Sequence, residues 1–422
     1  MSIDKNSSEI PGFYKLNPQE RIDIIKKYCD LDESEIKQII SMLGLTIDQA
    51  DKMIENAIGG ISIPLGIATN FQINQRDILI PMATEESSVI AACSKAAKIA
   101  RKLGGFDSSN NSNVMRAQIQ ILDNTNKEIS KNILLKKKEL IAEANKQSKT
   151  LLSIGGGVVD IITRDVSTSK GEILVVELLV DCKDAMGANI CNRMAEAISP
   201  MVEEITNRKT LLKIISNYAT DRMVFAKATF AKDLLGGDEI VNRILYASAF
   251  AESDVYRAVT HNKGIMNGVV AVALAAGQDT RAIESAAHAY ASKDGKYTSL
   301  TKWNKDSNGN LVGEIELPLP VGVVGGASSV HPVAKNSLKI MGVKTSKELA
   351  EIIASVGLAQ NLGALRALVD EGIQEGHMKL HAKNIAISAG AKDHEIDMIS
   401  STMIKDNNVS FNRAKELLRK SS

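Results

Sequence analysis

The sequence predicts an α+β fold in which a small mixed layer accompanies a larger, mainly helical part. Residues 113–217 show a pattern of helix, hairpin, helix and strand, residues 218–372 contain helices rich in alanine and glycine, and residues 373–422 are helical and more polar. At roughly 150 residues per domain, the 422 residues correspond to about three domains, in keeping with this division.

The N-terminal residues predict three helices. Asn17 precedes Pro18, and proline is favoured at the first helical position. Residues 31–57 carry two further helical patterns, the second of which begins after Thr46, a typical N-cap residue.

The next residues predict strands and a helix. ISIPLGI and DILIPM, within residues 61–82, are typical of short strands separated by a polar link. Residues 87–103 are typical of a small-residue helix, which we expect to end at Gly104 and Gly105 because glycine commonly terminates helices.

The small α+β block begins near residue 113. Residues 133–149 predict a lysine-rich amphipathic helix, whose lysines form either a solvated face or a phosphate-binding surface. Two β-rich runs, VVDIITRDV and EILVVELLVD, follow Gly155–Gly157 and are joined by STSKG, a hairpin-type connection. We expect a helix from about Asn189 to Thr206 and a further strand at LLKIISN.

The remaining residues predict a dense helical centre and a helical end. GVVAVALAA and SAAHAYASK are small-residue helices, and alanine and glycine let neighbouring helices approach closely. LGALRALVDEGIQEGHMKLHAKNIA predicts one long helix that leads into residues 373–422. Gly376 would weaken that helix by about 1 kcal/mol relative to alanine, so we expect a hinge there.

Composition excludes several classes of protein. Lys and Arg total 51 against 50 Asp and Glu, so no global basic field attracts nucleic acid. Only 4% of residues are aromatic, which leaves few surfaces for base stacking. The longest apolar run, Val269–Ala276, falls short of the ~20 residues of a membrane span, and MSIDKNSSE lacks the apolar stretch of a secretory signal. We expect a cytoplasmic protein without a membrane anchor.

No common cofactor or metal motif appears. GxGxxG and GxxxxGK[ST] are absent, which disfavours a Rossmann dinucleotide site and a P-loop. The four cysteines form no CxxC pair, so we expect reduced thiols rather than a zinc site. His377 and His381 share a helix face, but Met378 stands where a zinc hydrolase needs glutamate. We expect no metal.

Several short segments could carry chemistry, each with a structural alternative. DAMGAN, residues 184–189, lies between a strand and a helix, where backbone N–H groups bind anions, although spacing alone favours a simple Asp cap with a turn glycine. The glycines of VGVVGG suit either a ligand or close packing. The simplest explanation is that each of Glu86, Lys263 and Asp279 is a surface charge, unless folding brings them into contact. A straight helix over roughly 11 of the residues between Lys263 and Asp279 would span ~16 Å, which would hold those two apart. They meet only if the flanking loops fold back or if two subunits share the site.

Taken together, these segments resemble a known family. ENAIGG, PLGIATNF, PMATEESSVIAA, DAMGAN, ISN, HNKGIMNG, GQDTRAIE, LPVGVVGGA and GHMKLHAKNIA occur in the order found in 3-hydroxy-3-methylglutaryl-CoA (HMG-CoA) reductase. The chain resembles the soluble class II form of bacteria and archaea over nearly its whole length. The resemblance implies that residues 1–112 and 218–372 form a large catalytic and dimerisation domain. It also implies a small ferredoxin-like NAD(P)-binding domain at 113–217 and a C-terminal flap domain at 373–422.

The resemblance also implies a reaction and its residues. HMG-CoA would be reduced by two hydrides, through mevalonyl-CoA hemithioacetal and mevaldehyde, to mevalonate and CoA. The family's catalytic residues match Glu86, Lys263, Asp279 and His377. Lys263 would stabilise the oxyanion and Asp279 would hold that lysine, while Glu86 would protonate mevaldehyde and His377 the departing CoA thiolate.

Further residues match binding positions of the family. Ser88, Asn217, Arg257 and Asn267 match positions that contact HMG, and Asp184, Met186, Gly187 and Asn189 match the cofactor loop. The expected partners are HMG-CoA, mevalonate and CoA, with no nucleic acid and no membrane, and the expected assembly is a homodimer or a higher multiple of dimers.

Two departures from the family pattern bear on ligands. Tyr14 stands where the class II pattern often has an arginine for the CoA phosphates. Lys146–Lys149 contains no acid to hold a ribose 2′-hydroxyl, whereas Lys149, beside Ser148, could accept a 2′-phosphate. The sequence therefore favours NADPH, with NADH as the alternative. The alternative function is a catalytically silent CoA-binding or assembly protein on the same fold.

Overall fold

The computed structural model describes residues 7–42, 44–122, 128–370 and 373–421, and for residues 373–380, 393 and 421 it describes the backbone alone. The described chain is a mixed α+β fold, which confirms the predicted class. Its strands form two separate sheets, and helices cover both.

The described residues contain ten β-strands: β1 Leu65–Ile73, β2 Arg76–Ala83, β3 Phe106–Asn110, β4 Val114–Ile121, β5 Gly157–Thr168, β6 Gly171–Asp181, β7 Thr210–Ser216, β8 Met223–Phe230, β9 Thr301–Lys305 and β10 Leu311–Pro318. After a 3₁₀ turn at Phe13–Lys15, the same residues contain eighteen α-helices: α1 Pro18–Cys29, α2 Glu33–Ile40, α3 Ile47–Met53, α4 Val89–Arg101, α5 Glu128–Leu135, α6 Lys137–Asn145, α7 Lys149–Ser153, α8 Ala188–Thr206, α9 Lys232–Leu235, α10 Asp238–Ser253, α11 Val255–Ala275, α12 Thr280–Tyr290, α13 Gly326–Val330, α14 Pro332–Met341, α15 Ser346–Val369, α16 Ile373–Ser388, α17 Asp393–Lys405 and α18 Phe411–Ser421.

Capping residues define the N-terminal helices. Asn17, Asp32 and Thr46 each accept a hydrogen bond from the backbone N–H three residues later, in a capping box that also satisfies their own N–H groups. The predicted starts at Asn17 and Thr46 are therefore confirmed. Helices α1 and α2 pack a small apolar cluster against the large sheet through Leu79 of β2, whereas α3 buries no side chain.

The large sheet has six strands in the order β2-β1-β3-β8-β10-β9. Strands β1 and β2 are longer than the two short strands predicted there, and the ISIP part of the first prediction is wrong because residues 57–64 have no regular structure. Strands β3 and β8 pair in antiparallel orientation, although residues 113–217 separate them in the sequence. The large sheet therefore contains strands from both before and after that segment.

The small sheet is antiparallel throughout, in the order β5-β6-β4-β7. Its element order is strand, helices, strand, strand, helix, strand, and its inner face packs on α5, α6 and α8 in an apolar cluster of its own. The predicted hairpin is confirmed, since Thr168 pairs with Gly171. The predicted single helix over 133–149 is wrong: the segment is broken into α5, α6 and α7.

Helices α11 and α15 pack against each other in the largest core, and α11 contains most of GVVAVALAA, one of the small-residue segments expected at a dense centre. A methyl group added at Gly268 would lie 2.9 Å from Cβ of Gln360, and one at Gly363 would lie 2.8 Å from Cβ of Ala92. Such distances are shorter than ordinary carbon contacts, so glycine lets the backbones approach. Among the described helices, α15 is long and apolar enough for a membrane span, but 67% of its apolar window is buried in this core.

The C-terminal residues form three helices with a separate apolar cluster around Ile399 and Met403. The predicted long helix is wrong: α15 ends at Val369, where Asp370 is its C-cap, and α16 begins at Ile373. Gly376 lies in the part of α16 of which only the backbone is described, so the hinge stays a prediction.

Candidate active site

A cleft of about 540 Å³ opens between helices α4, α11 and α15. Small and apolar side chains such as Ala92, Ala96 and Leu365 line one end, and polar groups converge at the other, where α4 begins beside the middle of α11. A concave site of this size, with a few converging polar groups, is typical of small-molecule binding. The cleft is the candidate active site.

Helix α4 begins at the polar end of the cleft without a side-chain cap. Ser88 precedes it at φ 73°, and no side chain accepts a hydrogen bond from the first turn. A non-glycine residue in this region of φ is strained, and such strain is common at functional sites. The unpaired N–H groups of a helix N-terminus carry partial positive charge. The start of α4 therefore favours an anion or a carbonyl oxygen in the cleft.

Glu86 and Lys263 meet at this end of the cleft. Nζ of Lys263 donates to Oε2 of Glu86 at 2.8 Å, and Nδ2 of Asn267 donates to Oε1 at 3.2 Å. Lys263 and Asn267 are four residues apart on α11 and therefore share a face. The lysine side chain is 60% exposed and the glutamate 42%. An ion pair this exposed contributes little to stability, so its place in a cleft points to chemistry.

Arg257 supplies a second cation to the same cleft. It lies in the first turn of α11 and lines the wall. Its backbone N–H is capped by Asp254 at 2.7 Å, but no carboxylate of the described residues pairs with its guanidinium. Burial lowers the pKa of Arg257, although a guanidinium stays charged at neutral pH. A half-buried, unpaired guanidinium is suited to a carboxylate ligand.

A smaller hollow of about 190 Å³ lies on the other side of the Glu86–Lys263 pair. Glu284 and His288 of α12 line it together with that pair. Helix α12 therefore runs back along α11, and its C-terminal half is the part nearest Lys263. The ion pair separates this hollow from the larger cleft.

Asp279 does not join this cluster within the chain. It is the N-cap of α12, where Oδ1 accepts the backbone N–H groups of Arg281 and Ala282 at 3.1 Å. Helix α11 continues unbroken from Lys263 to Ala275, a rise of roughly 18 Å at 1.5 Å per residue. Asp279 lies at the far end of α12 from the ion pair. Asp279 and Lys263 could meet through a loop that folds back within one chain or through a site shared by two subunits. No such loop lies between these residues in the described chain.

The loop at residues 184–189 connects β6 to α8. Oδ1 of Asp184 accepts the backbone N–H of Ser346 at 2.8 Å, which ties this loop to the start of α15. Gly187 has φ 106°, and a methyl group there would lie 2.4 Å from Sγ of Cys182, so only glycine fits. No side chain caps α8 after Gly187, and Asn189 is exposed in its first turn. Asp184 is structural, but it holds the start of α15 rather than capping α8, and anion binding at the uncapped start of α8 stays a prediction.

The segment VGVVGG packs against this loop. A methyl group at Gly322 would lie 2.4 Å from the backbone nitrogen of Met186, so this glycine serves packing. At Gly325 and Gly326, by contrast, an added methyl group would meet nothing within 4 Å. The glycine-rich stretch therefore combines one packing glycine with a segment that leaves space beside it.

Ser148 and Lys149 mark the start of α7. Oγ of Ser148 accepts the N–H of Leu151 at 3.1 Å and caps the helix. Several of the neighbouring lysines have acidic partners, such as Lys146 with Glu143 at 2.6 Å, as expected of a solvated face. Lys149 is exposed and has no acidic partner in the part of the chain that the structure describes.

One further predicted site residue, Asn217, does not line the cleft. Asn217 is exposed in the turn after β7, in the small α+β block. His377 lies in α16, in the stretch whose side chains are outside the described residues, while the neighbouring His381 is exposed. Among the described residues, no group of three or more potential metal ligands comes together.

Sequence reasoning missed Arg222. Its side chain is 2% exposed, and its guanidinium donates to the carbonyl oxygens of Ala185 at 3.1 Å and Val321 at 2.6 Å. It thereby fixes the cofactor-loop candidate to the glycine-rich stretch. An arginine in a polar turn gives no sign in the sequence that folding will bury it, so no pattern could have found it.

Comparison with known proteins places the chain in one family. The profile of the hydroxymethylglutaryl-coenzyme A reductase family matches residues 17–382. A 3-hydroxy-3-methylglutaryl-coenzyme A reductase from Archaeoglobus fulgidus is 50% identical over 415 residues, which are 98% of this chain and 95% of that protein.

Solved structures agree with this placement. The class II 3-hydroxy-3-methylglutaryl-CoA reductase from Streptococcus pneumoniae, bound to NADPH in open conformations, superimposes with a TM-score of 0.81 at 38% identity, covering 96% of this chain and 99% of that one. A second structure of the reductase from Streptococcus pneumoniae superimposes with a TM-score of 0.83 at the same identity, covering 98% of this chain. This chain therefore belongs to the hydroxymethylglutaryl-coenzyme A reductase family and is an NAD(P)H-dependent oxidoreductase that reduces HMG-CoA.

Proposed function

We propose that the cleft between α4, α11 and α15 is where this reductase converts HMG-CoA to mevalonate. The observation that carries the proposal is the meeting of Glu86, Lys263 and Asn267 at the end of a cleft that also holds the unpaired cation of Arg257. The overall reaction consumes HMG-CoA, two reduced nicotinamide cofactors and two protons, and yields mevalonate, CoA and two oxidised cofactors.

Arg257 and Ser88 orient the substrate. The guanidinium of Arg257 pairs with the free carboxylate of the HMG group, which satisfies a cation that otherwise has no carboxylate among the described residues. The uncapped start of α4, after Ser88, attracts a substrate oxygen. Asn267 contributes an amide beside Glu86, and Asn217 would have to approach from the small α+β block, since it does not line the cleft.

Lys263 stabilises negative charge on the substrate, and Glu86 donates a proton to it. A thioester carbonyl that accepts hydride becomes an oxyanion, and the ammonium of Lys263 stabilises that negative charge. Glu86, hydrogen-bonded to Lys263, is placed to protonate the oxygen of mevaldehyde in the second reduction. His377 on α16 protonates the departing CoA thiolate, which keeps the thiolate from adding back to the aldehyde. The C–S bond of the hemithioacetal breaks with its electron pair leaving on sulfur, and the resulting thiolate takes the proton from His377.

Asp279 reaches Lys263 from a second copy of the chain. Within one chain, Asp279 lies at the start of α12, whereas Lys263 lies beside the other end of that helix. A site shared between two chains, in a homodimer or a multiple of dimers, would bring the two residues together. An exposed apolar segment supports an interface: Ile58 is 99% exposed and Ile61 96%, in a stretch without regular structure. A second copy that covers these side chains would bury apolar surface.

The small α+β block binds the cofactor through the uncapped N-terminus of α8 and through Lys149. The uncapped start of α8 after Gly187 suits a pyrophosphate, with Asp184, Met186 and Asn189 shaping the loop, and the space beside Gly325 gives the dinucleotide room. Ser148 and the unpaired Lys149 favour the 2′-phosphate of NADPH over NADH. The reduced nicotinamide supplies hydride in both reductions. Higher kcat/KM with NADPH than with NADH supports this preference, and a clear NADH preference rules it out.

The chain is divided into three domains. Residues 1–112 and 218–372 form the large catalytic and dimerisation domain, supported by the continuous six-stranded sheet. Residues 113–217 form the ferredoxin-like cofactor domain, supported by the strand order β5-β6-β4-β7 and a separate apolar cluster. Residues 373–422 form the flap that closes over the site. The protein is a soluble cytoplasmic enzyme, and the burial of α15 in the core supports this.

The test is cofactor consumption with matched lysine variants. Purified protein with HMG-CoA and NADPH or NADH should lose reduced-cofactor absorbance. Lys263→Ala should lower kcat by roughly 100- to 1,000-fold, as loss of an oxyanion donor does elsewhere. Lys302→Ala, at an exposed position on β9, should leave turnover unchanged. Full activity of a folded Lys263→Ala variant would contradict the assignment of the site. If the wild-type protein consumes neither cofactor, the alternative of a silent CoA-binding protein gains support.

A further inference from the structure

A buried histidine lies on the wall of the cleft between the two cations. His261 is 2% exposed and lies on α11, one turn after Arg257 and two residues before Lys263. Neither the proposed chemistry nor the proposed substrate contacts use it.

The hydrogen bonds around His261 fix which ring nitrogen carries the proton. The indole Nε1 of Trp303 can only donate, and it lies 2.9 Å from Oδ1 of Asn361. The amide of Asn361 is therefore oriented with Nδ2 towards His261, 3.1 Å from Nε2. Because Nδ2 is also only a donor, Nε2 must accept, and the proton of a neutral ring lies on Nδ1. The hydroxyl of Thr301 lies 2.9 Å from both Nε2 and Oδ1 of Asn361, and its one proton can go to either, so the contact with Asn361 is what assigns the tautomer.

The ring is neutral at ordinary pH. Burial, reinforced by the nearby charge of Arg257, lowers the pKa of His261 to about 4. The proton on Nδ1 is therefore a fixed N–H donor across the neutral range. Nδ1 is buried and has no hydrogen-bond partner among the described residues. A buried donor without an acceptor is rare in folded proteins and calls for a partner outside the chain.

We propose that His261 is a substrate-binding residue whose Nδ1–H donates a hydrogen bond to the free carboxylate of HMG beside Arg257. Arg257 is four residues earlier on the same face of α11, and both residues line the cleft. A carboxylate accepts about four hydrogen bonds and keeps free lone pairs after a bidentate contact with an arginine. Arg257 supplies the positive charge that attracts the carboxylate, and His261 supplies a neutral N–H donor with a fixed direction. This inference rests on the cleft being the substrate site.

Two substitutions at His261 distinguish the contributions of its two ring nitrogens to binding. His261→Gln places an amide near the position of Nε2, so it keeps a partner for Asn361 and Thr301 but loses the Nδ1 donor. His261→Asn places an amide near Nδ1 and keeps that donor. We expect the inhibition constant of free 3-hydroxy-3-methylglutarate to rise roughly tenfold in His261→Gln and by less than threefold in His261→Asn, about the effect of one hydrogen bond. The inhibition constant of CoA should not change in either variant.

The controls distinguish this inference from the assignment of the cleft. Lys302→Ala, at an exposed position on β9 that does not line the cleft, should leave the inhibition constant of 3-hydroxy-3-methylglutarate unchanged. Arg257→Lys should raise that constant. If Arg257→Lys raises it and His261→Gln does not, the role of His261 is wrong while the cleft stands. If neither variant raises it, the cleft assignment is wrong.

A measurement on the wild-type protein covers the case in which His261→Gln fails to fold. In protein labelled with ¹⁵N-histidine, the Nδ1 proton of His261, identified by its loss in His261→Asn, should move downfield when 3-hydroxy-3-methylglutarate is added. CoA alone should leave it in place. A proton found on Nε2, or a resonance that does not move with saturating 3-hydroxy-3-methylglutarate, would overturn the inference.

Discussion

At the scale of single residues, the site joins groups that are far apart in the chain. Glu86 and Lys263 are 177 residues apart, yet they form the ion pair at the end of the cleft. From residue type alone each is a surface charge, and the family resemblance named both as catalytic, but spacing could not show that they meet. His261 and Arg222 illustrate the remaining limit, because a side chain's burial and its hydrogen-bond partners depend on segments elsewhere in the chain.

Gly187 permits a residue-scale prediction about the cofactor loop. At φ 106°, Gly187→Ala adds backbone strain of about 1 to 2 kcal/mol, and its new methyl group would lie 2.4 Å from Sγ of Cys182, which adds about 1 to 3 kcal/mol. We expect lower stability in urea unfolding together with a higher KM for the nicotinamide cofactor.

Gly171 provides the matched control for that prediction. It has φ 112° in the β5–β6 turn, but an added methyl group would meet nothing within 4 Å. Gly171→Ala should therefore show the backbone cost alone, with an unchanged cofactor KM. Equal losses of stability in the two variants would show that the contact with Cys182 does not matter.

At the scale of elements, local signals predicted the starts of helices better than their lengths. Asn17 and Thr46 act through hydrogen bonds within four residues, so the sequence contains all the information needed. The long helix predicted across residue 370 is interrupted, and the lysine-rich helix is broken into three. Helical periodicity continues through such breaks, which are decided by packing against distant elements.

Close packing between α11 and α15 permits an element-scale prediction. Gly268→Ala would bring a methyl group to 2.9 Å from Cβ of Gln360, so we expect it to lower the free energy of unfolding by about 1 to 3 kcal/mol. Gly264, one turn earlier on α11, has its nearest neighbour at 3.8 Å, an ordinary contact. Gly264→Ala should be neutral or stabilising by up to about 1 kcal/mol. Urea unfolding checks both, and a Gly268→Ala variant as stable as Gly264→Ala would contradict the packing argument.

Asp77 permits a prediction about the attachment of the N-terminal segment to β2. Burial alone would raise the pKa of Asp77, but hydrogen bonds from Arg101 and Ser8 outweigh it and lower the pKa. A lowered folded-state pKa adds stability above the unfolded pKa of about 3.9, and this stability is lost as pH falls through the folded value.

Asp77→Asn tests this directly. The variant should be less stable than the wild type by about 1 to 3 kcal/mol at pH 7, and the difference should shrink below about pH 4. Asp107→Asn, at an exposed position on β3, should show no such pH dependence. Thermal unfolding followed from pH 7 to pH 3 gives the comparison. A deficit in Asp77→Asn that stays constant over this range would rule out the ionised Asp77 carboxylate as its source.

At the scale of the whole molecule, the α+β class and the placement of a second, smaller sheet could be anticipated from the chain. Residues 113–217 interrupt the large sheet between β3 and β8, and only the pairing of those two strands shows that the flanking halves form one layer. The separation of Asp279 from Lys263 was foreseen from helix rise, and the structure keeps them apart within one chain. The proposed catalytic site is therefore complete only in an assembly of two chains.

Heterodimers test this claim most directly. Lys263→Ala and Asp279→Asn chains carrying different affinity tags are co-expressed and purified on both tags, and their kcat with HMG-CoA and NADPH is compared with the wild type. If each site takes Lys263 from one chain and Asp279 from the other, one of the two sites is intact, and the heterodimer should have about half of wild-type activity while each homodimer is inactive. A heterodimer as inactive as its two parents would contradict a shared site, since each chain would then need both residues itself.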